Sequence, residues 1–252
     1  PFEKDWYAEH GMEVEFVGHA LTDAITEEPT EHLPAPGERP LVALLPGSRT
    51  QEIARMLPVM LTGVQHFPDH RFAVAAAPSV PPEFYRRIIG DAPVELVPDG
   101  TYELLRKAKA ALVTSGTATL ETALIGTPEA VCYGGGAVNV WLAKRFIKVR
   151  FISLVNLIMG REVVRELIQS QMAPAPMRKE LYRLLHDGPY RERMLNDIHQ
   201  LRVKLGGPRA SARRWSTVRR ARSARASGVR RPRRSRTCSS SATATSTTAP
   251  SG

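Results

Sequence analysis

Leu41-Val42-Ala43-Leu44-Leu45-Pro46-Gly47-Ser48-Arg49-Thr50-Gln51-Glu52 is a run of five apolar residues, a turn and the opening of a polar-faced helix. An uninterrupted apolar run of this length suits a strand buried on both faces of a parallel sheet, and Pro46-Gly47 closes it. Working outward, the pattern recurs. Residues 72–76, 94–97, 110–114 and 130–133 read as further strands, while 51–67, 81–89, 101–108 and 118–125 read as the helices between them. Pro58 is expected to kink or interrupt the first helix, because it removes an intrahelical donor and its ring clashes with the preceding turn. Strands alternating with helices at this spacing predict an α/β fold, a Rossmann-like doubly wound parallel sheet with helices on both faces.

Residues 138–147, 162–170, 177–186 and 190–205 read as additional helices; in the last, Met194, Ile198, Leu201 and Leu205 form one apolar stripe. Ahead of Leu41, residues 14–17 read as a short β-like run ending at Gly18-His19. Residues 26–40, with Pro29, Pro34, Pro36 and Pro40, read as a linker or long loop. The expected organisation is an interdomain segment and linker over 1–40, a domain over 41–208 and a tail over 209–252.

The chain has 252 residues and a formal net charge of +10. Twelve of its 35 Lys and Arg lie at or after Arg209 with no acid among them, so residues 1–208 hold 23 bases against 25 acids. The positive charge therefore belongs to the tail. That tail has almost no large apolar side chains to offset its ordering entropy, so disorder is expected. An arginine-rich arm can neutralise phosphates, but only Trp215 is interleaved for base stacking, which disfavours nucleic acid as a partner. The competing reading is a frame-shifted end: Lys, Asp and Glu vanish abruptly in favour of Arg, Ser, Ala and Thr, as a slip in GC-rich DNA produces. With Pro1 in place of an initiating Met, the expectation is a fragment with an artificial end.

Cys132 and Cys238 are too few for a disulfide scaffold and fit a reducing compartment. No run reaches the roughly 18–20 apolar residues that a spanning helix needs, and a soluble chain is expected.

In a doubly wound sheet, ligands bind where strand carboxyl ends feed helix N-termini, whose free N–H groups favour anions. Two such loops carry unusual residues. In Leu45 to Glu52, Gly47 permits close backbone approach to a ligand, Ser48 can cap the helix, and Arg49 can grip a phosphate with two hydrogen bonds. In Thr114-Ser115-Gly116-Thr117-Ala118-Thr119-Leu120-Glu121, hydroxyls and early N–H groups form a polar cup, and Glu121 can accept two ribose hydroxyls. Plain capped strand-to-helix turns remain the competing reading of each. Neither loop has the spacing of a P-loop or of Gly-x-Gly-x-x-Gly, which weakens ATPase and simple NAD-binding readings.

In combination these residues resemble a known family. Pro1-Phe2-Glu3-Lys4, Phe16-Val17-Gly18-His19, Leu45-Pro46-Gly47-Ser48-Arg49 with Glu52, Ser115 to Glu121, Gly126-Thr127-Pro128, Trp141-Leu142-Ala143-Lys144-Arg145, and Ile152-Ser153-Leu154-Val155-Asn156-Leu157 with Gly160-Arg161-Glu162 occur in the order found in the C-terminal half of lipid-A-disaccharide synthases. The similarity covers about residues 1 to 212.

The resemblance implies the nucleotide-sugar half of a GT-B glycosyltransferase of family 19. Such an enzyme moves 2,3-diacylglucosamine from UDP-2,3-diacylglucosamine to 2,3-diacylglucosamine 1-phosphate, giving lipid A disaccharide 1-phosphate and UDP. It places Gly47, Ser48 and Arg49 at the diphosphate with Glu52 in the same donor site. Ser115, Gly116, Thr117 and Thr119 line the phosphate and sugar pocket, Glu121 holds the ribose, and Asn156 and Arg161 complete the site. No metal or cofactor is implied, since Arg and helix N-termini can stabilise departing UDP. The general base belongs to the half that precedes Pro1 in the family, so the chain alone is expected to bind donor without turnover, alongside a separate N-terminal half or a second copy.

Val155 stands where the family usually has Pro, and residues 129–139 with Gly134-Gly135-Gly136 depart from its pattern. The basic-apolar stretch around Trp141, Phe146, Lys144 and Arg145 can rest on an anionic membrane, although ordinary helix packing explains its apolar positions equally. The implied location is the cytoplasm, peripheral to the inner membrane of a Gram-negative bacterium. Another UDP-GlcNAc-using GT-B enzyme is the alternative within the fold; a nucleic-acid binder acting through its tail is the alternative outside it. His19 is either a site group or a turn histidine satisfied by backbone, and His66, His70, His186 and His199 read as surface residues.

Overall fold

The computed structural model describes residues 7–14, 16, 18–25, 37–114, 116–134 and 150–206. In chain order the elements are α1 (Ala20–Ala24), β1 (Leu41–Leu45), α2 (Thr50–Val64), β2 (Arg71–Ala75), α3 (Pro82–Ile89), β3 (Val94–Val97), α4 (Thr101–Lys107), β4 (Ala108–Thr114), α5 (Thr117–Ile125), β5 (Glu129–Tyr133), α6 (Leu154–Met159), β6 (Arg165–Ile168), a 3₁₀ turn (Gln169–Gln171), α7 (Pro174–His186) and α8 (Gly188–Leu205). The six strands form one sheet in the order β3-β2-β1-β4-β5-β6, every pair parallel. This is the doubly wound arrangement expected from the alternation. The chain winds one way from β1 to β3 and the other way from β4 to β6, so the direction reverses between β1 and β4.

Burial on both sides explains the continuous apolar strands. Val42 to Leu44 and Ala110 to Val113 have no exposed surface, and each large aliphatic side chain removed from water contributes about 1.5–3 kcal/mol. The helices pack in two groups, α2 with α3 and α7, and α5 with α4 and α6, while α8 touches α5, α6 and α7. Helix α8 is also pinned by cations set on carbonyls at other elements' ends. Arg202 donates to Leu124 O near the end of α5, Lys204 Nζ donates to Ile158 O of α6 at 2.5 Å, and Arg191 donates to Lys109 O. At Leu124 and Ile158 positive groups are favoured because the last carbonyls of a helix lack intrahelical partners; Lys109 O lies at the start of β4.

Four sequence expectations are corrected. Helix α2 runs unbroken through Pro58, because Ile53, Met56, Leu57, Met60 and Val64 bury one face of it and outweigh the missing donor. Residues 162–170 are not a helix: they contain β6 and the 3₁₀ turn, with β6 paired to β5 from Ala130↔Arg165 to Tyr133↔Ile168. The spacing of polar residues there suggests a helix surface, yet Glu166 points inward and is 9 % exposed. Val14 and Phe16 belong to no strand. His70 is buried, with its ring edge-on to Phe67 and His186 at centroid distances of 6.0 and 5.6 Å.

Burial, with the His186 and Lys109 charges adding to it, lowers the His70 pKa below the ordinary histidine value. The helix expected over 138–147, the basic-apolar stretch at Trp141, most of the 26–40 linker and the 209–252 tail lie outside the described residues.

Candidate functional site

The reversal between β1 and β4 sets the carboxyl ends of these two strands side by side, with Leu45 opposite Val113. Their loops, joined by the loop after β2, enclose a cleft of about 430 Å³. That is within the usual ligand-pocket range of roughly 300–1,000 Å³. Gly47, Ser48, Arg49 and Glu52 line it from the first loop, Gly116, Thr117 and Glu121 from the second. Thus seven of the eleven residues expected at a donor site converge on one cavity.

In the first loop Gly47 has φ +113°, a backbone region that only glycine adopts without strain. A Cβ there would lie 2.8 Å from Glu52 Oε2 and 2.9 Å from Glu52 Cβ. The close approach anticipated for a ligand is therefore made by Glu52. Nor does the Ser48 hydroxyl cap α2: the N-cap position is Arg49 and no side chain bonds from it. Instead the backbone N–H of Ser48, one residue before the N-cap, donates to Glu52 Oε2 at 3.3 Å, a reach-back that resembles a capping box displaced by one residue. Arg49 Nη1 donates to Glu52 Oε1 at 3.0 Å, while its side chain remains 80 % exposed.

In the second loop Thr119 is fully buried and donates its hydroxyl to Gly116 O at 2.8 Å, so it shapes the turn without lining the cleft. Ser115 lies outside the described residues. Glu121, half-buried on α5, has its pKa raised by desolvation, while a hydrogen bond from the Tyr102 hydroxyl works in the opposite direction.

Two contributors were not assigned to the donor site from the sequence. Thr114, quoted there as the start of the second loop, ends β4 and lines the cleft, while its hydroxyl is buried and has no hydrogen-bond partner. Ala75, Ala76, Ala77 and Pro78 form the third wall, their small side chains leaving the cleft open. That wall is held by the buried Tyr85 hydroxyl, which accepts from Ala77 N–H at 2.8 Å, and by Ser79 Oγ donating to Ser48 O at 3.2 Å.

Asn156 and Arg161 are not brought to this cleft. Asn156 is fully buried, and its amide is consumed internally: Nδ2 donates to Val164 O at 2.8 Å and Glu166 Oε1 at 2.9 Å, and Oδ1 accepts from Val163 N–H and Val164 N–H. Glu166 also accepts from Ile152 N–H, Ser153 N–H and Ser153 Oγ. A buried carboxylate is tolerable when it gathers this many donors. The network ties the start of α6 to β6. Arg161 forks onto Asp197, with Nη2 to Oδ1 at 2.8 Å, and onto Gln200 at 3.1 Å, both on α8. His19 Nδ1 accepts from Leu21 N–H at 3.2 Å, which caps α1 and fits the turn-histidine reading.

The sequence model of the lipid-A-disaccharide synthetase family matches residues 1–218. A lipid-A-disaccharide synthase of Syntrophus aciditrophicus (strain SB) is 37 % identical over 225 residues, covering 84 % of this chain and 59 % of that protein. Another, from Solibacter usitatus (strain Ellin6076), is 35 % identical over 216 residues, covering 82 % and 56 %. The chain thus spans rather more than half the length of these relatives. Among solved structures, a calicheamicin glycosyltransferase aligns with a TM-score of 0.51 at 20 % identity, covering 86 % of this chain and 58 % of that one. The glycotransferase of kitacinnamycin aligns at 0.50 with 16 % identity, covering 75 % and 45 %. These likenesses establish the fold, a Rossmann-like half of the GT-B glycosyltransferase architecture. Fold, ordered motifs and identity agree: this chain belongs to the lipid-A-disaccharide synthetase family of glycosyltransferases.

Proposed function

We propose that residues 41–208 form the UDP-sugar-binding domain of a hexosyltransferase of lipid A biosynthesis. In this reading the enzyme transfers 2,3-diacylglucosamine from UDP-2,3-diacylglucosamine to 2,3-diacylglucosamine 1-phosphate, releasing UDP. The observation that carries the reading is the convergence of three strand tips on one cleft at the switch point. There an exposed guanidinium, the opening turn of α2 and a recessed Glu121 carboxylate face a common space, with Thr114 in its wall. The first two suit a diphosphate, the carboxylate the hydroxyls of a ribose.

Arg49 would neutralise charge on the departing diphosphate, a job that needs positioned donors where negative charge develops. Asn156 would serve the fold by holding α6 against β6, not the donor site. Because donor and acceptor are lipids, weak peripheral contact with an anionic membrane at the cytoplasmic face is part of the same proposal. Among the described residues no helix is long and apolar enough to cross a membrane.

Isothermal titration of the full chain with UDP tests the site. Arg49→Ala and Glu121→Ala should each weaken binding by about tenfold, the usual worth of a hydrogen bond to a charged group; unchanged affinity in both removes the assignment. Product analysis with the diacylated donor against plain UDP-GlcNAc separates this activity from another UDP-GlcNAc-using GT-B enzyme. Removing residues 213–252 should leave UDP affinity intact; if the chain instead acts as a nucleic-acid binder, RNA affinity is lost with them.

A further inference from the structure

Glu52 is an odd neighbour for a diphosphate. Among the described residues lining the cleft, Arg49 is the cation, and two carboxylates line it as well, Glu52, which Arg49 pairs with, and Glu121. Glu121 lies on α5, where the reading above gives it the ribose. Glu52 sits in the first loop and engages the donors that an incoming phosphate needs. One oxygen takes the Ser48 N–H at 3.3 Å, the other takes Arg49 Nη1 at 3.0 Å, and its stem packs on the bare Cα of Gly47. Both oxygens are thus committed, and the carboxylate occupies the anion-favouring start of α2.

We propose that Glu52 is an internal anion that holds the diphosphate pole of the cleft until the donor arrives, so that binding exchanges a carboxylate for a phosphate at Arg49 and the Ser48 N–H. This rests on the nucleotide-sugar reading above and adds a specificity device to it. A carboxylate and a diphosphate cannot share one guanidinium and one N–H without like-charge repulsion, so Glu52 must turn away. It is able to do so, since its side chain is 35 % exposed and that of Arg49 is 80 % exposed. The exchange favours ligands that bring more negative charge than the one they displace. A diphosphate does; a neutral nucleoside does not. Glu52 therefore makes the cleft selective for a polyanionic donor and restores Arg49 to a fixed resting position once UDP leaves.

The test uses the full chain and titrations with UDP and with uridine. Glu52→Gln keeps an oxygen for the Ser48 N–H while removing the charge, so the loop should stay formed. UDP should bind it about fivefold more tightly than the wild-type chain, the factor corresponding to release of an exposed ion pair, and uridine affinity should not change. In an Arg49→Ala background the same substitution should shift UDP affinity less than about twofold, because the guanidinium to be released is gone.

Equal or weaker UDP binding by Glu52→Gln overturns the proposal. A crystal structure of the wild-type chain with UDP supplies a check that needs no variant: Glu52 should have left Arg49, and persistence of the pair at its present distance beside a bound diphosphate overturns the proposal as well. Failure of the wild-type chain to bind UDP at all is a different result, which removes the nucleotide-sugar reading itself.

Discussion

Glu129 opens β5 with no exposed surface, and neither of its carboxylate oxygens has a hydrogen-bond partner. Burial pushes its pKa well above the ordinary value of 4.5. A buried polar group left unpaired costs about 1–3 kcal/mol by mutational measures. Glu129→Met removes both oxygens at nearly the same volume, so the variant should be more stable by about 1–3 kcal/mol near neutral pH, with Tm rising about 2–4 °C per kcal/mol.

The pH dependence has a definite sign. With the folded pKa raised, the native chain keeps a proton that the unfolded chain releases. The contribution to stability is therefore fully present below the unfolded pKa and is lost as pH rises toward the raised folded value, by up to about 1.4 kcal/mol per pH unit. The advantage of Glu129→Met should grow as pH rises above about 4.5. Glu129→Gln should lose the pH dependence: it should match the wild type near pH 4.5, where both carry a neutral unpaired group, and gain on it as pH rises, while staying less stable than Glu129→Met because its amide is unpaired. Urea unfolding of the three proteins from about pH 5 to about pH 8, at a common m-value, measures this. Equal stability of wild type and Glu129→Met across that range refutes the reasoning.

Asn156→Ala should destabilise the fold by about 3 kcal/mol in urea unfolding, because it strips a donor from Glu166 and an acceptor from two buried N–H groups, while UDP affinity of the folded protein stays the same. Gly47→Ala should destabilise by about 1–3 kcal/mol, since φ +113° is strained for alanine and its Cβ would meet Glu52 Oε2 at 2.8 Å and Cβ at 2.9 Å; adding Glu52→Ala should recover only the part due to the carboxylate contact, because the backbone strain and the Cβ contact remain, as thermal shift will show. Tyr102→Phe removes the hydrogen bond that holds the Glu121 pKa down, so UDP affinity should fall about threefold to tenfold. The deficit should widen as pH drops through the carboxylate range and Glu121 takes up a proton, which titrations at several pH values will detect.

Five of the six strands were legible along the chain, because two-sided burial needs unbroken apolar runs such as residues 41–45 and 110–114; the strand order, and with it the switch point between β1 and β4, came only from the pairing. The ordered motifs also located the cleft loops and their family. Polar side chains inside the fold were not legible in that way. Glu162 to Ser170 carries polar residues at helical spacing, yet β6 forms because Glu166 finds donors on the segment before α6, and nothing local announces that partnership. Thr119 and Asn156 look like ligand groups for the same reason: their hydroxyl and amide could face a sugar or the protein, and only packing chose the protein.

Glu52 shows the division most plainly. Its place three residues after Arg49 permits a contact within the first turn of α2. Whether that contact merely caps a helix or stands where a phosphate would lie depends on β4 bringing its own loop alongside. Short-range pattern specifies which residues can be buried and where the chain must turn. Which buried polar atoms meet which others depends on distant segments packing together, so the tertiary structure alone settles it.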